Sequence, residues 1–479
     1  VYSENWNIST QLESIVKIYS PRSYALREIT QLCYFDTAWL IRQACKQRLM
    51  EAIQDMSAPS IVRPLMPANA DLKGGAHIRM PRRIVLLNVK YSPNLGDGLL
   101  SECLERELGR SLPGCEVVSI DLAGRTAYPR AHGRARGAVL ALLERCPSRL
   151  RRTIAGTMLR LLLAVRLRGH YRRGLRGADA VVVGGGNLLT DSDLNFPLKI
   201  SAALGEAARS YLPVAVHAVG VSPEWSRPGG RMFGRTLERA RLARCSVRDH
   251  RSQDNWAAHF SNRDILPATI AVDPGVLASL WYPANRRPTD AGSRRIGLCV
   301  TDPLAVRYHA SEASAATLDT WYPAALRSLV ESGFQVVLFT NGSPEDREYL
   351  YGNVSEWIRK AKGAVTLGRS FDTPQDLAAL VSNCDAVIGH RMHACIAAYS
   401  YAVPAIGLRW DPKLDSFFEL TGRKAHMLDP ANTDAGTVGR RTAAAITDGV
   451  DPVPLIARAR AQIAAFANDL TEACSRGHA

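Results

Sequence analysis

Long apolar runs are missing from this chain, and their absence removes one class of protein at once. No stretch reaches the roughly 18 to 20 apolar residues that span a bilayer, and no apolar N-terminal segment leads into a small-residue cleavage site. A cytoplasmic location is therefore the expectation. Paired cysteines are missing as well. The ten cysteines are scattered, with no CxxC pair and no His/Cys cluster at zinc-ligand spacing, which points to free thiols, a reducing compartment and no metal site. Acidic residues are nearly missing from one segment: between Arg125 and Arg176, fourteen arginines stand against Glu144 alone.

What is present is enough for two domains and extensions. The chain has 479 residues, and an apolar content of 46% can supply each domain with a core. The net charge of +15 is concentrated in the 125–176 segment. Within that segment Ala138 to Leu143 and Ile154 to Val165 are apolar and helix-favouring, so it reads as a basic amphipathic hairpin. Two uses stay open, a solvated insertion and a peripheral contact with an anionic membrane or a lipid-linked substrate. Nucleic acid is disfavoured, because aromatic residues for base stacking are nearly absent from the segment.

Composition divides the chain into three parts. Residues 1–80 read as a helical extension rich in Gln, Leu and Ile, followed by a Pro- and Gly-containing linker from Pro59 to Pro81. Residues 81–285 carry the first lobe, with the Arg-rich insertion at 125–176. Residues 286–479 carry a second lobe and a C-terminal helix. In the first lobe, short apolar runs at Ile84–Val89, Ala180–Val183, Val214–Val219 and Cys245–Val247 alternate with helical stretches such as Leu99–Leu108 and Leu198–Ser210. The second lobe repeats the alternation with runs at Arg295–Val300, Phe334–Phe339, Gly363–Thr366, Cys384–Ile388 and Val403–Gly407. Strand and helix in alternation predict α/β architecture with doubly wound sheets.

Ligands of such sheets gather beyond the carboxyl ends of the strands, so the residues just after each run are the informative ones. Asn94-x-Gly96-Asp97 offers a glycine able to take positive φ and an aspartate able to cap the next helix, leaving a helix N-terminus free for an anion. Gly184-Gly185-Gly186-Asn187 suits either close backbone approach to a ligand or a tight turn. Ser246-Val247-Arg248-Asp249 puts a guanidinium at a strand tip, for an anion or for a structural salt bridge. Gly389-His390-Arg391-Met392-His393-Ala394 places an arginine and two imidazoles at a strand-to-helix transition, where an anion and a proton transfer could both be served. Pro404 to Lys413 ends another strand with Arg409 and Lys413, for phosphate or for solvent.

Taken in order, these motifs resemble the polysaccharide pyruvyl transferase family. The resemblance runs from about Ile84 to about Gly422 and includes Asp273-Pro274. It implies two Rossmann-like lobes facing a cleft, similar to the GT-B glycosyltransferases. It also implies a reaction in which phosphoenolpyruvate gives its three-carbon unit to two hydroxyls of a saccharide, forming a cyclic ketal and releasing phosphate. The residues associated with phosphoenolpyruvate become Arg391, His393 and Arg248, with His393 as the proton carrier. Asn94, Gly96, Asp97, Gly185, Gly186, Met392 and Lys413 complete the expected binding set. The chain departs from the pattern in having Gly389-His390 before the Arg-x-His. No cofactor or metal is expected. The competing functions are a nucleotide-sugar-dependent GT-B glycosyltransferase and a non-catalytic, membrane-docking factor in polysaccharide assembly.

Overall fold

The computed structural model describes residues 80–128, 156–284, 293–307, 318–369 and 371–476. The N-terminal extension, up to residue 79, and the 129–155 part of the Arg-rich insertion lie outside these residues.

Six strands form the first sheet: β1 (Arg83–Asn88), β2 (Glu116–Asp121), β3 (Ala180–Gly184), β4 (Pro213–Val219), β5 (Arg241–Val247) and β6 (Thr269–Ile270). All pairings are parallel, in the order β2-β1-β3-β4-β5-β6. The second sheet comprises β7 (Arg295–Cys299), β8 (Gln335–Phe339), β9 (Val365–Leu367), β10 (Ala386–Gly389), β11 (Ala405–Leu408) and β12 (Met427–Leu428). It too is parallel, in the order β12-β11-β10-β7-β8-β9. Apart from Gly363–Thr366, which becomes the edge strand β9, the apolar runs read from the sequence are inner strands, where helices on both faces favour apolar side chains. In β1, Val85 and Leu87 enter one core while Ile84 and Leu86 enter another. The core holding Ile84 and Leu86 extends into the second lobe through Leu298, Ile388 and Ile396, so the two lobes share a continuous apolar interior.

The helices used below are α1 (Leu95–Ser111), α2 (Asn195–Arg209), α3 (Arg227–Arg239), α4 (His250–Phe260), α5 (Leu318–Glu331), α6 (Pro344–Lys360), α7 (Pro374–Ser382), α8 (Met392–Ser400), α9 (Pro412–Leu420), α10 (Val438–Asp448) and α11 (Val453–Arg476). Local chemistry sets several of their starts. Ser343 caps α6 ahead of Pro344, and Thr373 forms a capping box with Asp376 at the head of α7.

Three strands escape the apolar-run reading. β2 is an edge strand whose first four residues are only partly covered, so its sequence mixes Glu, Ser and Asp with Val and Ile. β6 and β12 have two residues each, too short to leave a pattern. A boundary also changes. The C-terminal helix, grouped by sequence with the second lobe, runs back onto the first. On α11, Arg460 Nε lies 3.1 Å from Glu107 of α1, Gln462 exchanges hydrogen bonds with Val272 and Ile270, and the Phe466 ring packs against His217. An amphipathic helix settles where its apolar stripe is covered, and here that place belongs to the earlier part of the chain.

Among the described residues no helix is long and apolar enough to cross a membrane. The described cysteines, Cys103, Cys115, Cys245, Cys299, Cys384, Cys395 and Cys474, are free, and all but Cys115 are buried.

Candidate active site

The site lies where the carboxyl ends of the first sheet meet α8 and α9 of the second lobe. Its first wall is the head of α1. Asn94 is the N-cap and its Oδ1 accepts a hydrogen bond from the Gly96 amide at 3.3 Å. The Leu95 amide donates to the Asn341 carbonyl of the second lobe at 2.8 Å, the Asp97 amide donates to Asn94 O at 3.0 Å, and Asn341 Nδ2 donates to Asn94 Oδ1. These contacts correct the expectation of a free helix N-terminus, since its first amides already have partners. They also move the cap from Asp97 to Asn94.

Gly96 is a glycine for a different reason from the one expected. It sits in α1 without positive φ. A Cβ at this position would stand 2.3 Å from His393 Cβ and 2.6 Å from Nδ1, so its missing side chain makes room for the imidazole. Asp97 is half-buried in the first turn, and desolvation pushes its carboxyl above the usual range against the opposing pull of His393. Gly185 and Gly186 are in the left-handed region at φ +76° and +77°. Gly185 packs on Leu100, where a Cβ would fall 2.1 Å from Cδ1, and Gly186 lies beside Asp97. This loop is a tight turn against α1.

His393 projects from the first turn of α8 and is buried. Its Nε2 faces Oδ2 of Asp273 from the first lobe at 3.5 Å, and neither atom has a hydrogen-bond partner among the described residues. The other carboxylate oxygen of Asp273 accepts from the Gly275 amide at 2.8 Å. Burial pushes the Asp273 carboxyl up, but His393, Arg248 and the Gly275 amide outweigh it and hold the group below its ordinary value. Asp273 was visible in the sequence as part of a motif without a role. Its place at the end of the last strand of the first sheet is the signal that could have assigned one.

Arg248, at the carboxyl end of β5, is only 5% exposed. Its Nε lies 3.3 Å from Asp249, while Nη2 is buried without a partner among the described residues. Asn187 Oδ1 is orphaned in the same way. Both crowd Gly220, where a Cβ would meet them at 2.7 and 2.5 Å. A buried, unpaired guanidinium nitrogen is costly unless something answers it, and an anion is the natural answer.

Arg248, Asp273, Met392 and Lys413 line one cavity between the lobes. Lys413 Nζ pairs with Asp411 at 2.9 Å. Burial pulls the ammonium below its usual value despite Asp411, and Arg248 pulls the same way, as expected for two cations facing one space. The cavity holds about 20 Å³, room for roughly one water molecule.

Arg391 does not line that cavity. Its Nε and Nη2 each donate to the buried Asp346 carboxylate at 2.8 Å, and its guanidinium stacks over Trp410 at 4.9 Å. The arginine expected as one jaw of a clamp thus has a bidentate partner inside its own lobe. Asp346 was missed as its partner because the pairing joins residues 45 positions apart. His390 is a core residue. It is fully buried, its Nδ1 lies 3.3 Å from Tyr322 OH, and burial together with Arg391 lowers its pKa to about 3, which keeps it neutral.

Among the described residues no His, Cys, Asp and Glu groups are arranged to hold a metal ion. Fold and site together define a two-lobed α/β protein with a small interlobe cavity lined by two cations and two carboxylates, beside a buried histidine. The polysaccharide pyruvyl transferase family model matches residues 94–412, and the chain belongs to that family. No curated protein sequence matches. Solved structures of similar architecture include the Staphylococcus aureus MnaA–UDP co-structure, 12% identical, TM-score 0.45, covering 78% of this chain and 92% of that one. The glycosyltransferase SnogD from Streptomyces nogalater is 16% identical, TM-score 0.39, covering 83% and 98%. The Escherichia coli ADP-heptose LPS heptosyltransferase II is 13% identical, TM-score 0.35, covering 76% and 99%.

Proposed function

We propose that the protein transfers the three-carbon unit of phosphoenolpyruvate to two hydroxyls of one sugar in a polysaccharide or its precursor. The observation that carries this reading is Arg248, whose buried Nη2 has no partner among the described residues, lining the same interlobe cavity as Lys413 and Asp273, with His393 against that Asp273. Phosphoenolpyruvate brings a phosphate and a carboxylate, and two cations from opposite lobes suit a dianion held end to end. Arg391, fixed by Asp346 and Trp410, stands at the head of α8 as a preorganised positive charge beside that site.

The chemistry balances with one proton carrier. Protonated His393 delivers a proton to the methylene carbon, a sugar hydroxyl adds to the neighbouring carbon, and the second hydroxyl displaces phosphate there. The first hydroxyl's proton restores His393 and the second leaves with phosphate. The products are a methyl-bearing cyclic ketal and inorganic phosphate. Arg248 and Lys413 stabilise charge on the departing phosphate. No metal or cofactor has a part in this scheme. The cavity as it stands accepts about one water, so the reading includes a widening of this site when substrate enters.

The reading extends to a cytoplasmic, peripheral membrane location with a saccharide acceptor that is lipid-linked. The described end of the Arg-rich segment is a helix over 156–174 with two apolar stripes. Leu163, Leu167 and Tyr171 enter the core, whereas Met158, Leu161 and Val165 face outward beside the exposed Arg160 and Arg168. That combination suits an anionic lipid surface. The deciding experiment for the reaction is phosphate release from phosphoenolpyruvate against a panel of acceptor glycosides, followed by mass analysis of the products. A ketal-bearing product supports it; release of phosphate with no acceptor modified, or no release with any acceptor, overturns it.

A further inference from the structure

A second hollow lies on the first lobe, away from the interlobe cavity. Trp225, Arg227, Arg231, His259 and Arg263 line an open pocket of about 360 Å³ at the head of α3, a size suited to a mono- or disaccharide. The Trp225 indole and the His259 imidazole are stacked, with centroids 3.6 Å apart and planes 7° from parallel. The stack is held from behind. Trp225 Nε1 donates to Leu189 O at 3.2 Å, its ring packs on Phe233 and Phe260, and His259 Nε2 lies 3.0 Å from Ser222 O. The aromatic pair is therefore a fixed wall of the pocket, and it needs no ordering when a ligand arrives.

The charges around it are unequal. Arg263 is paired with Glu238 at 2.8 Å, and Asp191 accepts the Ser226 amide and hydroxyl beneath the helix head. Arg227 and Arg231, one turn apart on α3, are exposed and make no ion pair among the described residues. The pocket thus combines an aromatic wall, suited to the C–H side of a sugar ring, with two guanidinium groups that make no ion pair among the described residues and suit a carboxylate or phosphate. α4 connects it to the reaction centre. Arg248 and Asp249 stand at the start of this helix and His259 near its end, about 14 Å along at 1.5 Å per residue.

We infer that this pocket is a saccharide subsite that grips an acidic sugar unit of the acceptor at a distance from the bond-forming centre. The inference rests on the proposed function only for calling the ligand an acceptor; the binding itself is independent of phosphoenolpyruvate. Anchoring a polymer through a unit remote from the reacting one is how an enzyme uses binding energy without crowding its chemistry.

The test is calorimetric titration of the full chain with three probes: a glucuronic acid disaccharide, a hexose phosphate and the neutral disaccharide cellobiose. At least one anionic probe should bind at millimolar or lower concentration and at least tenfold tighter than cellobiose. The Arg227→Glu/Arg231→Glu variant should lose at least tenfold of that affinity while keeping its thermal stabilisation by phosphoenolpyruvate. Binding of the disaccharide alone assigns the site to a uronic acid, and binding of the hexose phosphate alone to a phosphate-linked sugar. Failure of both anionic probes to bind wild type, equal binding of cellobiose, or unchanged affinity in the variant overturns the subsite. Loss of phosphoenolpyruvate stabilisation in wild type would instead count against the reaction proposed above, whatever the probes do.

Discussion

Across the interlobe boundary, Nε2 of His393 faces Oδ2 of Asp273 at 3.5 Å, the imidazole coming from the second lobe and the carboxylate from the first. Nδ1 of the same ring lies on the Gly96 side, where a Cβ would stand 2.6 Å away. Parting the lobes would take the carboxylate away.

Replacing His393 by Ala should lower phosphate release by at least about a hundredfold, within the range for loss of a general acid, while leaving the thermal unfolding midpoint close to wild type. Asp273→Asn should fall between the two in turnover, with phosphoenolpyruvate binding retained. Near-normal turnover in His393→Ala rejects the role of proton carrier.

For Arg248, the expected effect is on affinity. Arg248→Ala should weaken phosphoenolpyruvate stabilisation in a thermal-shift titration by about tenfold or more in apparent Kd, the scale of one charge-assisted hydrogen bond. The same titration with a nucleotide sugar separates the two transferase readings, because stabilisation by the nucleotide sugar alone would favour the glycosyltransferase.

Arg391 should behave as a fold-supporting residue. Arg391→Ala leaves Asp346 buried without its partner, a change that costs about 3 to 5 kcal/mol in comparable buried pairs. Urea unfolding measures it. A variant of unchanged stability but impaired phosphoenolpyruvate binding would return Arg391 to the clamp.

Acid should destabilise the protein through two buried imidazoles. Burial holds His390 at about 3 and His217 at about 4, both below the ordinary value near 6.5. A lowered folded-state value means the contribution is complete above about pH 6.5 and is lost as pH falls toward the folded value. Each histidine then removes at most about 1.4 kcal/mol per pH unit. Unfolding midpoints measured from about pH 7 to about pH 4.5 should decline, and His390→Gln should make the decline shallower.

If the 156–174 helix docks on lipid, Met158→Asp/Leu161→Asp should abolish sedimentation with vesicles containing anionic lipid and leave turnover on a soluble acceptor intact. Unchanged sedimentation would make the segment a solvated surface.

The two sheets were readable because a parallel strand covered on both faces must be apolar along its length, as Ile84 to Leu87 and Val181 to Val183 are. Polar edges and two-residue strands carry no such mark, so β2, β6 and β12 were not. In the site, residue type was legible and partnership was not. The sequence places Arg391, Arg248 and His393 at strand ends, yet only the folded chain shows that Asp346 takes the first, nothing described takes Nη2 of the second, and Asp273 meets the third. Gly96 reads from the sequence as a residue for positive φ, but the reason it must be glycine is a neighbour's side chain rather than a backbone angle.

The return of α11 to the first lobe has a mechanical consequence. The chain passes from the first lobe to the second between β6 and β7 and comes back between α10 and α11, so two covalent crossings join the same pair of bodies. A single tether would permit twisting and sliding in any direction. Two tethers leave fewer ways for the lobes to twist or slide, which favours a fixed register between His393 and the same carboxylate.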